Sequence, residues 1–187
     1  MWYVVQTLAG KEESARKAIC QAVAAEGRSN AGHKSALNAN KPLLETCFVP
    51  RYSTMKKVNS ALQPVDEVLF PGYLIVATSR VEDLAACIQS HVRTARLIGG
   101  QNEAFLPLNT EEVAWIDAFT HCGTQAIGIS VAQVSEGDRV EVVEGPLVGH
   151  EGWIKKVNHR KKVAYLEISA FGRTINAQVG IRVVRKR

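Results

Sequence analysis

The sequence predicts two domains, an α+β layer sandwich followed by a small all-β barrel. In residues 1–120, β-branched runs alternate with segments whose apolar residues recur at helical spacing. After residue 130 only strand-and-turn spacing remains. With 187 residues, of which 46% are apolar, the chain is long enough for two small cores. We therefore expect a domain over residues 1–120, a flexible linker over 121–130 and a second domain over 131–187.

The first domain should begin with a strand and a helix. The run WYVVQTL is apolar and rich in β-branched residues, which is typical of a strand. In the segment that follows, apolar residues share one helix face between residues 15 and 23. Glu12 and Glu13 favour the positive N-terminal end of a helix, and Gly27 predicts where this helix stops. The small, polar stretch over residues 28–41 predicts a mobile loop.

The rest of the first domain should contain three strands and two helices. LETCFVPRY and VLFPGYLIVAT are strand-like, and a polar segment with Pro64 separates them. Ser79 and Glu82 have the spacing of a capping box at the start of a helix. ARLIGG predicts a short strand, and Asn109 or Thr110 should cap the last helix. The order β-α-β-β-α-β-α predicts helices on one face of a mainly antiparallel sheet.

The second domain should contain four or five strands and no helix. DRVEVVEG, GWIKKVN, KVAYLEIS and RTINAQV follow one another at strand-and-turn spacing, and IGISVAQV can form a further strand. Ala164, Leu166 and Ile168 alternate with more polar residues, as in a strand with one buried face. Closing such a small sheet into a barrel would remove its exposed edges.

The excess positive charge of the chain lies in the predicted barrel. From Ser130 onward there are 11 Lys or Arg and 6 Asp or Glu residues, whereas the preceding residues hold 12 of each. This asymmetry favours an acidic partner for the second domain, and the other reading is a solubilising surface or a lysine-rich edge that prevents aggregation. We predict RNA contact through the cations of one hairpin and a neighbouring arginine: Lys155, Lys156, His159, Arg160, Lys161, Lys162 and Arg173.

No catalytic or cofactor-binding motif is present in the sequence. GPLVGHEG has the glycines of a phosphate-binding loop, but it lacks the Lys and Ser or Thr that would hold phosphate and it precedes a strand. The histidines are scattered and no cysteine pair has C-x-x-C spacing, so no enzyme, cofactor or metal site is predicted. The start of the chain has no export signal and no apolar run approaches about 20 residues, so we expect a cytoplasmic protein without membrane contact.

Several motifs, in the order in which they occur, resemble those of the NusG/Spt5 family of transcription elongation factors. They are WYVVQT with the following GKEE, FPGYLIV, LIGG, and the segment from Glu136 to Arg173, which looks like a KOW motif. The resemblance covers nearly the whole chain. It implies an N-terminal NGN domain with an antiparallel sheet and helices, followed by a KOW domain with an SH3-like barrel.

The resemblance also implies that the N-terminal domain binds the clamp helices of RNA polymerase. Phe70, Pro71 and Tyr73, with Gln6 and Ile75 near them, would form the surface that faces polymerase. The Pro-Gly step between the two rings interrupts the strand, so one ring can be presented at the surface. The alternative from the residues alone is that both rings belong to the core.

Three cations at the start of the first helix are candidates for contact with the displaced, non-template DNA strand. These are Lys11, Arg16 and Lys17, and an ordinary solvated helix face explains them equally well. The KOW domain implied by the resemblance binds a ribosomal protein, a termination factor or RNA. The turn after Pro146 lacks the aromatic residue expected of a housekeeping member, although Phe171 is retained, and the next hairpin is enriched in cations.

Within the resemblance, the changed turn and the basic hairpin favour a specialised member that is similar to the LoaP-type antitermination factors. It is expected to be a monomer that binds RNA polymerase and a hairpin in the nascent RNA. Two alternatives stay open. One is the housekeeping NusG-type elongation factor, whose KOW domain binds ribosomal protein or termination factor. The other is a ribosome-associated or RNA-packaging protein that uses the barrel alone.

Overall fold

The computed structural model describes residues 1–29, 41–59, 61–99, 104–120, 123, 125–134, 140–170 and 173–185. By the density of internal contacts the chain divides into two units, neither of which is one continuous stretch of sequence. Unit 1 consists of Met1–Val49 and Pro71–Val113, and unit 2 consists of Pro50–Phe70 and Ala114–Arg187. The predicted linker over residues 121–130 stays a prediction.

Among the described residues, strands and helices both occur up to Thr120, and almost all the elements from Ser130 onward are strands. In chain order they are β1 (Trp2–Gln6), α1 (Glu12–Ser29), β2 (Thr46–Phe48), β3 (Arg51–Val58), β4 (Ala61–Val68), β5 (Tyr73–Ala77), α2 (Val81–His91), β6 (Arg96–Leu97), α3 (Thr110–Thr120), β7 (Ser130–Val134), β8 (Val140–Glu144), β9 (Ile154–Asn158), β10 (Val163–Ala170) and β11 (Arg173–Arg185).

Unit 1 is built on a four-stranded antiparallel sheet in the order β2-β5-β1-β6. The central pair is in register from Trp2 opposite Ala77 to Gln6 opposite Tyr73. Helix α1 packs against α2 and contacts β2 and β5. The apolar residues that share a helix face in the sequence line this core, with Ile19 fully buried. The predicted α+β arrangement is confirmed.

Helix termini in unit 1 follow the sequence prediction in one case and differ in two. Asn109, one of the two predicted caps of α3, forms a capping box, since its Oδ1 accepts the Glu112 N–H at 2.7 Å and the Glu112 carboxylate accepts the Asn109 N–H at 2.8 Å. Helix α1 does not stop at Gly27 but continues to Ser29, because one glycine costs a helix only about 1 kcal/mol. The N-cap of α2 is Arg80 and not Ser79.

The polar segment between the two strand-like runs is itself a hairpin. Strands β3 and β4 pair over eight residues each, with Pro64 opposite Met55. The first four residues of β4 are all exposed, so this end of the hairpin has no buried face and the sequence has no period-2 signal there. Pro64 is tolerated because each strand of a two-stranded sheet has a free edge.

Unit 2 contains a curled five-stranded sheet in the order β8-β7-β11-β10-β9. The 13-residue strand β11 joins its two parts, since its first half pairs antiparallel with β10 and its last five residues pair parallel with β7. Ala164, Leu166 and Ile168 are buried, as their alternation predicts, and β7 occupies the strand predicted in IGISVAQV. Within the described ranges, no helix of either unit combines the length and apolar character needed to cross a membrane.

The β3–β4 hairpin belongs to unit 2 because β3 packs closely on β11. A Cβ atom at Gly180 would lie 2.3 Å from the Ser53 carbonyl oxygen, so only glycine permits this approach. The Ser53 N–H donates to the Ile127 carbonyl at 2.8 Å, and the Ile127 N–H donates to the Arg51 carbonyl at 2.7 Å. Tyr52 is consequently only 2% exposed.

Candidate functional site

Most of the cations predicted to bind RNA lie on one hairpin of unit 2, formed by β9, β10 and the turn between them. We call residues 154–163 the basic hairpin. Its turn is closed by Asn158, whose Oδ1 accepts the Lys161 N–H at 2.9 Å, and by Lys162, whose φ is 55°. This geometry leaves His159, Arg160 and Lys161 exposed and Lys162 half-buried. Long cations therefore lie side by side at the tip.

A β-bulge explains why two consecutive lysines of the basic hairpin are both exposed. Lys156 pairs with Tyr165 and Ile154 pairs with Leu166, so Lys155 is an extra residue without its own partner position. In a regular strand, one of two consecutive side chains would point into the core. Here both lysines face solvent, and the Lys155 ammonium lies 3.1 Å from the exposed Glu167 carboxylate.

The outer face of the sheet next to the bulge carries a row of polar and aromatic side chains. Lys156 on β9 lies opposite Tyr165 on β10, which lies opposite Gln178 on β11. Lys156 and Gln178 are exposed and Tyr165 is half-buried. A cation, a ring and an amide in one row offer charge, a stacking surface and hydrogen bonds, the three contacts that proteins use on RNA.

Arg173 is not part of this cluster. It begins β11 opposite Ala170, whereas the basic turn adjoins Val163 at the other end of β10. Val163 and Ala170 are seven positions apart in the strand, which corresponds to roughly 23 Å at about 3.3 Å per residue. The structure therefore places Arg173 apart from the other predicted RNA-binding residues, because the hairpin between β10 and β11 lies at the far end of the sheet.

Trp153 does not start strand β9, as the sequence predicted, but ends a short 3-10 turn over Glu151–Trp153. Its ring stacks on the His150 ring with centroids 4.1 Å apart and meets the buried Trp115 ring edge-on at 5.2 Å. In the preceding turn Leu147 is fully buried and Val148 is 50% exposed. Phe171 lies outside the described residues.

The residues predicted to face polymerase differ in exposure. Phe70 and Ile75 are each 1% exposed and belong to the core. Pro71 is exposed, and Tyr73 and Gln6 are half-buried. Of the two rings beside the Pro-Gly step, one is therefore buried and the other reaches the surface. The sequence prediction that all five form a surface patch is corrected for Phe70 and Ile75, because β5 and the residues before it supply the buried core.

A buried carboxylate that the sequence prediction missed holds the Pro71–Tyr73 turn of unit 1 in place. Glu12 is 3% exposed, and its Oε1 accepts the Gly72 N–H at 2.7 Å and the Gly10 N–H at 2.9 Å. Gly72 has a φ of 85°, and its carbonyl accepts the Thr7 N–H at 2.8 Å. From the sequence, Glu12 was expected only to favour the helix N-terminus. Its main contact lies 60 residues away, which no local pattern indicates.

An exposed arginine adjoins the same turn and was also missed. The Arg96 guanidinium donates two hydrogen bonds to Gln6 Oε1, at 3.0 and 3.3 Å. Gln6 lies opposite Tyr73 in the sheet, and Arg96 lies opposite Gln6 on the other side. The surface around Tyr73 therefore carries a positive charge at the edge of the sheet.

The three cations predicted to contact DNA are not equally available. Arg16 donates two hydrogen bonds to the Glu13 carboxylate, at 2.6 and 2.9 Å, which occupies part of its guanidinium. Lys11 and Lys17 are both exposed. The helix start therefore presents two lysines to solvent and one arginine that is already paired.

Comparison with known proteins assigns both parts of the chain. Residues 1–117 match the family described as "Transcription termination factor nusG", and residues 136–167 match the "KOW motif". A Helicobacter pylori (strain J99) protein named "Transcription termination/antitermination protein NusG" is 28% identical over 99% of this chain and 97% of its own length. A Neisseria meningitidis (serogroup B) protein of the same name is 22% identical over 99% of this chain and 97% of its own length.

The fold agrees with a solved structure of the same family. The structure described as "Domain interaction in Thermotoga maritima NusG" matches with a TM-score of 0.54 at 19% identity, and the match covers 96% of this chain and 92% of that one. At this identity the likeness shows the fold alone. The family match itself spans 117 of the 187 residues. This chain therefore belongs to the NusG family.

Proposed function

We propose that this protein is a specialised, LoaP-type antitermination factor, which binds RNA polymerase through unit 1 and a hairpin of the nascent RNA through the basic hairpin of unit 2. The observation that carries the proposal is the β-bulge that exposes both Lys155 and Lys156 beside the cationic turn. A factor of this kind would act as a monomer in the cytoplasm, where transcription takes place, and would need no cofactor.

The RNA-binding part of the proposal rests on cations of the basic hairpin, few of which are neutralised by acidic side chains of the protein itself. Among the described residues of the basic hairpin, the lysine that forms an ion pair is Lys155, and both partners of that pair are about half exposed. An exposed pair of this kind contributes less than about 1 kcal/mol, so phosphate competes with it easily. A basic barrel of this size reaches the backbone, the shallow groove and splayed loop bases of an RNA hairpin. Specificity would then come from hairpin shape more than from base edges.

The polymerase-binding part rests on family membership and on the fixed turn at Pro71–Tyr73. The exposed or half-exposed contacts would come from Gln6, Pro71 and Tyr73, with Arg96 beside them. A half-exposed aromatic ring on a rigid turn is a typical anchor for a protein partner. Lys11 and Lys17 would extend this surface toward the displaced DNA strand.

The RNA-binding proposal is tested by a salt titration of the full chain with hairpin RNA taken from the leader of its own gene neighbourhood. If about four to six cations each neutralise one phosphate, log K falls against log salt with a slope of roughly −3 to −5. The test variant carries Arg160→Glu and Lys161→Glu. The matched control carries Lys11→Glu and Lys17→Glu, the same change of net charge placed in unit 1.

We expect the unit 2 variant to lose RNA binding and the unit 1 variant to keep it. Binding that survives reversal of Arg160 and Lys161, or that does not depend on salt, would contradict the proposal. Equal losses in the two variants would show that net charge alone, and not the basic hairpin, attracts RNA.

The polymerase-binding proposal is tested with Tyr73→Ala in the full chain. Phe70→Ala is less informative, because removal of a buried Phe side chain costs about 3–5 kcal/mol of stability by itself. We expect Tyr73→Ala to weaken polymerase binding at least tenfold while the melting curve stays nearly unchanged. Unchanged polymerase affinity in this variant would remove Tyr73 from the interface.

A housekeeping NusG-type role is the second candidate, and the full-length match to the Helicobacter pylori protein favours it. In that case unit 2 would bind ribosomal protein or termination factor through the apolar surface at Val148, which is 50% exposed. Val148→Asp would then abolish that protein contact and leave RNA affinity unchanged. If the antitermination proposal holds, Val148→Asp changes neither RNA affinity nor polymerase affinity by more than about twofold.

A further inference from the structure

Three side chains with different metal-binding groups meet where helices α1 and α2 pack together. They are Glu26 near the end of α1, and Cys87 and His91 on the last turns of α2. One ligand atom from each lies within 4.8 Å of the other two. Cys87 and His91 are four residues apart, so they share one face of α2, and Glu26 approaches that face from the neighbouring helix.

We propose that Glu26, Cys87 and His91 form a binding site for a zinc ion in unit 1. A thiolate, an imidazole and a carboxylate are the three kinds of side chain that bind Zn²⁺, and the thiolate excludes magnesium and calcium as the preferred ions. Three protein ligands leave a fourth tetrahedral position for water. This site is independent of the proposed polymerase and RNA surfaces.

The orientation of His91 supports this assignment. Its Nδ1 lies 3.0 Å from the Cys87 carbonyl oxygen. A carbonyl oxygen can only accept a hydrogen bond, so Nδ1 is the donor in this contact, and in the neutral imidazole Nε2 is then the nitrogen that can bind a metal ion. Metal-binding histidines are commonly held in this way, with one ring nitrogen donating to a backbone carbonyl and the other free for the ion.

The burial of the three groups also suits a site at the edge of the domain. Cys87 is 1% exposed, Glu26 is half-buried and His91 is exposed. An ion can therefore reach the site from solvent at His91, and when it binds the Cys87 sulfur it displaces the thiol proton, which is released to solvent. Because Glu26 belongs to α1 and the other two residues to α2, a bound ion would fasten the end of α1 to α2.

The full chain is tested after treatment with a chelator and dialysis into metal-free buffer. Zn²⁺ is titrated in competition with a chromophoric chelator, and Co²⁺ is titrated separately to detect the charge-transfer absorption of a Co²⁺–thiolate bond. We expect one ion per chain, a thiolate band with Co²⁺, and a higher melting temperature with Zn²⁺ than without it, since an ion that binds the folded state stabilises it.

The deciding variants are His91→Gln and Glu26→Gln, because both positions are at least partly exposed and the changes leave the core intact. We expect each to weaken Zn²⁺ binding at least tenfold, and Cys87→Ser to remove the Co²⁺–thiolate band. Cys20→Ser and His159→Gln, outside the cluster, are the matched controls and should bind as the parent does. Circular dichroism shows that each variant is folded.

The proposal is overturned if Co²⁺ gives no thiolate band with the parent chain. It is also overturned if His91→Gln and Glu26→Gln bind Zn²⁺ as tightly as the parent chain. The same holds if the control variants Cys20→Ser and His159→Gln lose as much Zn²⁺ affinity as the two test variants. In the last case the ion is held by other cysteines and histidines of the chain.

Discussion

The Pro71–Tyr73 turn of unit 1 and the basic hairpin of unit 2 are held in different ways. A buried carboxylate, Glu12, accepts hydrogen bonds from two backbone N–H groups and so determines the shape of the turn. The basic hairpin has one side chain-to-backbone bond at its tip, and most of its cations are exposed to solvent. The Pro71–Tyr73 turn therefore has a fixed shape, whereas the main property of the basic hairpin is its positive charge.

This difference indicates what each surface can recognise. A partner protein must fit a rigid surface closely, because the backbone at an interface moves little when most pre-organised complexes form. Phosphates along an RNA chain can be met by long, mobile lysine and arginine side chains, and the strength of that contact depends on how many charges are neutralised. Substitutions in the turn should therefore act through stability and shape, and those in the basic hairpin through salt-dependent affinity.

The largest effect is expected from Glu12→Ala, which removes the acceptor of both N–H groups. Leaving one buried and one partly buried donor without a partner should cost about 2–4 kcal/mol. Urea unfolding measures the loss, and polymerase affinity should fall at least tenfold because the turn is no longer held. Glu13→Ala is the matched control: it removes a partly exposed ion pair with Arg16 and should cost less than about 0.5 kcal/mol. Similar losses in the two variants would contradict a special role for Glu12.

The next-largest effect is expected from Gly180→Ala, which tests whether the stability of the sheet that carries the basic hairpin depends on the β3–β4 hairpin. Gly180→Ala would place a methyl group 2.3 Å from the Ser53 carbonyl oxygen, so the backbone must shift, at a cost of about 1–3 kcal/mol. Gly152→Ala, with no atom within 4 Å of the added Cβ, is the control.

Thermal melting should show a lower midpoint for Gly180→Ala, while the salt slope of RNA binding stays unchanged. If Gly180→Ala melts like Gly152→Ala, β3 does not pack on β11 in solution. A changed salt slope would mean that the position of the cations depends on this packing, and the contrast between the two surfaces would be weaker.

A smaller effect separates backbone strain from close approach at the turn. Gly72 and Gly10 both have positive φ, 85° and 81°, so alanine costs about 1 kcal/mol at either position. At Gly72 the added Cβ would also lie 3.2 Å from the Thr7 carbonyl oxygen, whereas at Gly10 nothing lies within 4 Å. We expect Gly72→Ala to be less stable than Gly10→Ala by about 0.5–1 kcal/mol in urea unfolding. Equal stabilities would show that the turn has room to relax.

The smallest effect concerns the ion pair beside the bulge. Glu167→Gln releases Lys155 and removes a negative charge that would repel phosphate, so RNA affinity should rise about two- to fivefold at low salt. Glu144→Gln makes the same charge change on β8 without releasing Lys155, and should alter affinity less. A gel shift with hairpin RNA compares the two. No gain in the Glu167 variant would place the bound RNA away from Lys155.

Features that depend on residues close together in the chain can be predicted from the sequence. The change from helical to strand spacing predicts the α+β and all-β parts, and the capping box at Asn109 lies within four residues. The accumulation of cations between Lys155 and Lys162 follows directly from the order of residues. Periodicity, caps and local charge are short-range properties, so they can be deduced before any fold is known.

Contacts between distant segments of the chain become visible only in the folded protein. It buries Phe70, pairs the Glu12 carboxylate with Gly72, and brings β3 against Gly180. It also places Glu26 beside Cys87 on another helix. The identity of such partners depends on how strands and helices pack, and a packing contact leaves no spacing rule in a single sequence. The physical reason is that burial and coordination are properties of a place in space, which residues far apart in the chain share only after folding.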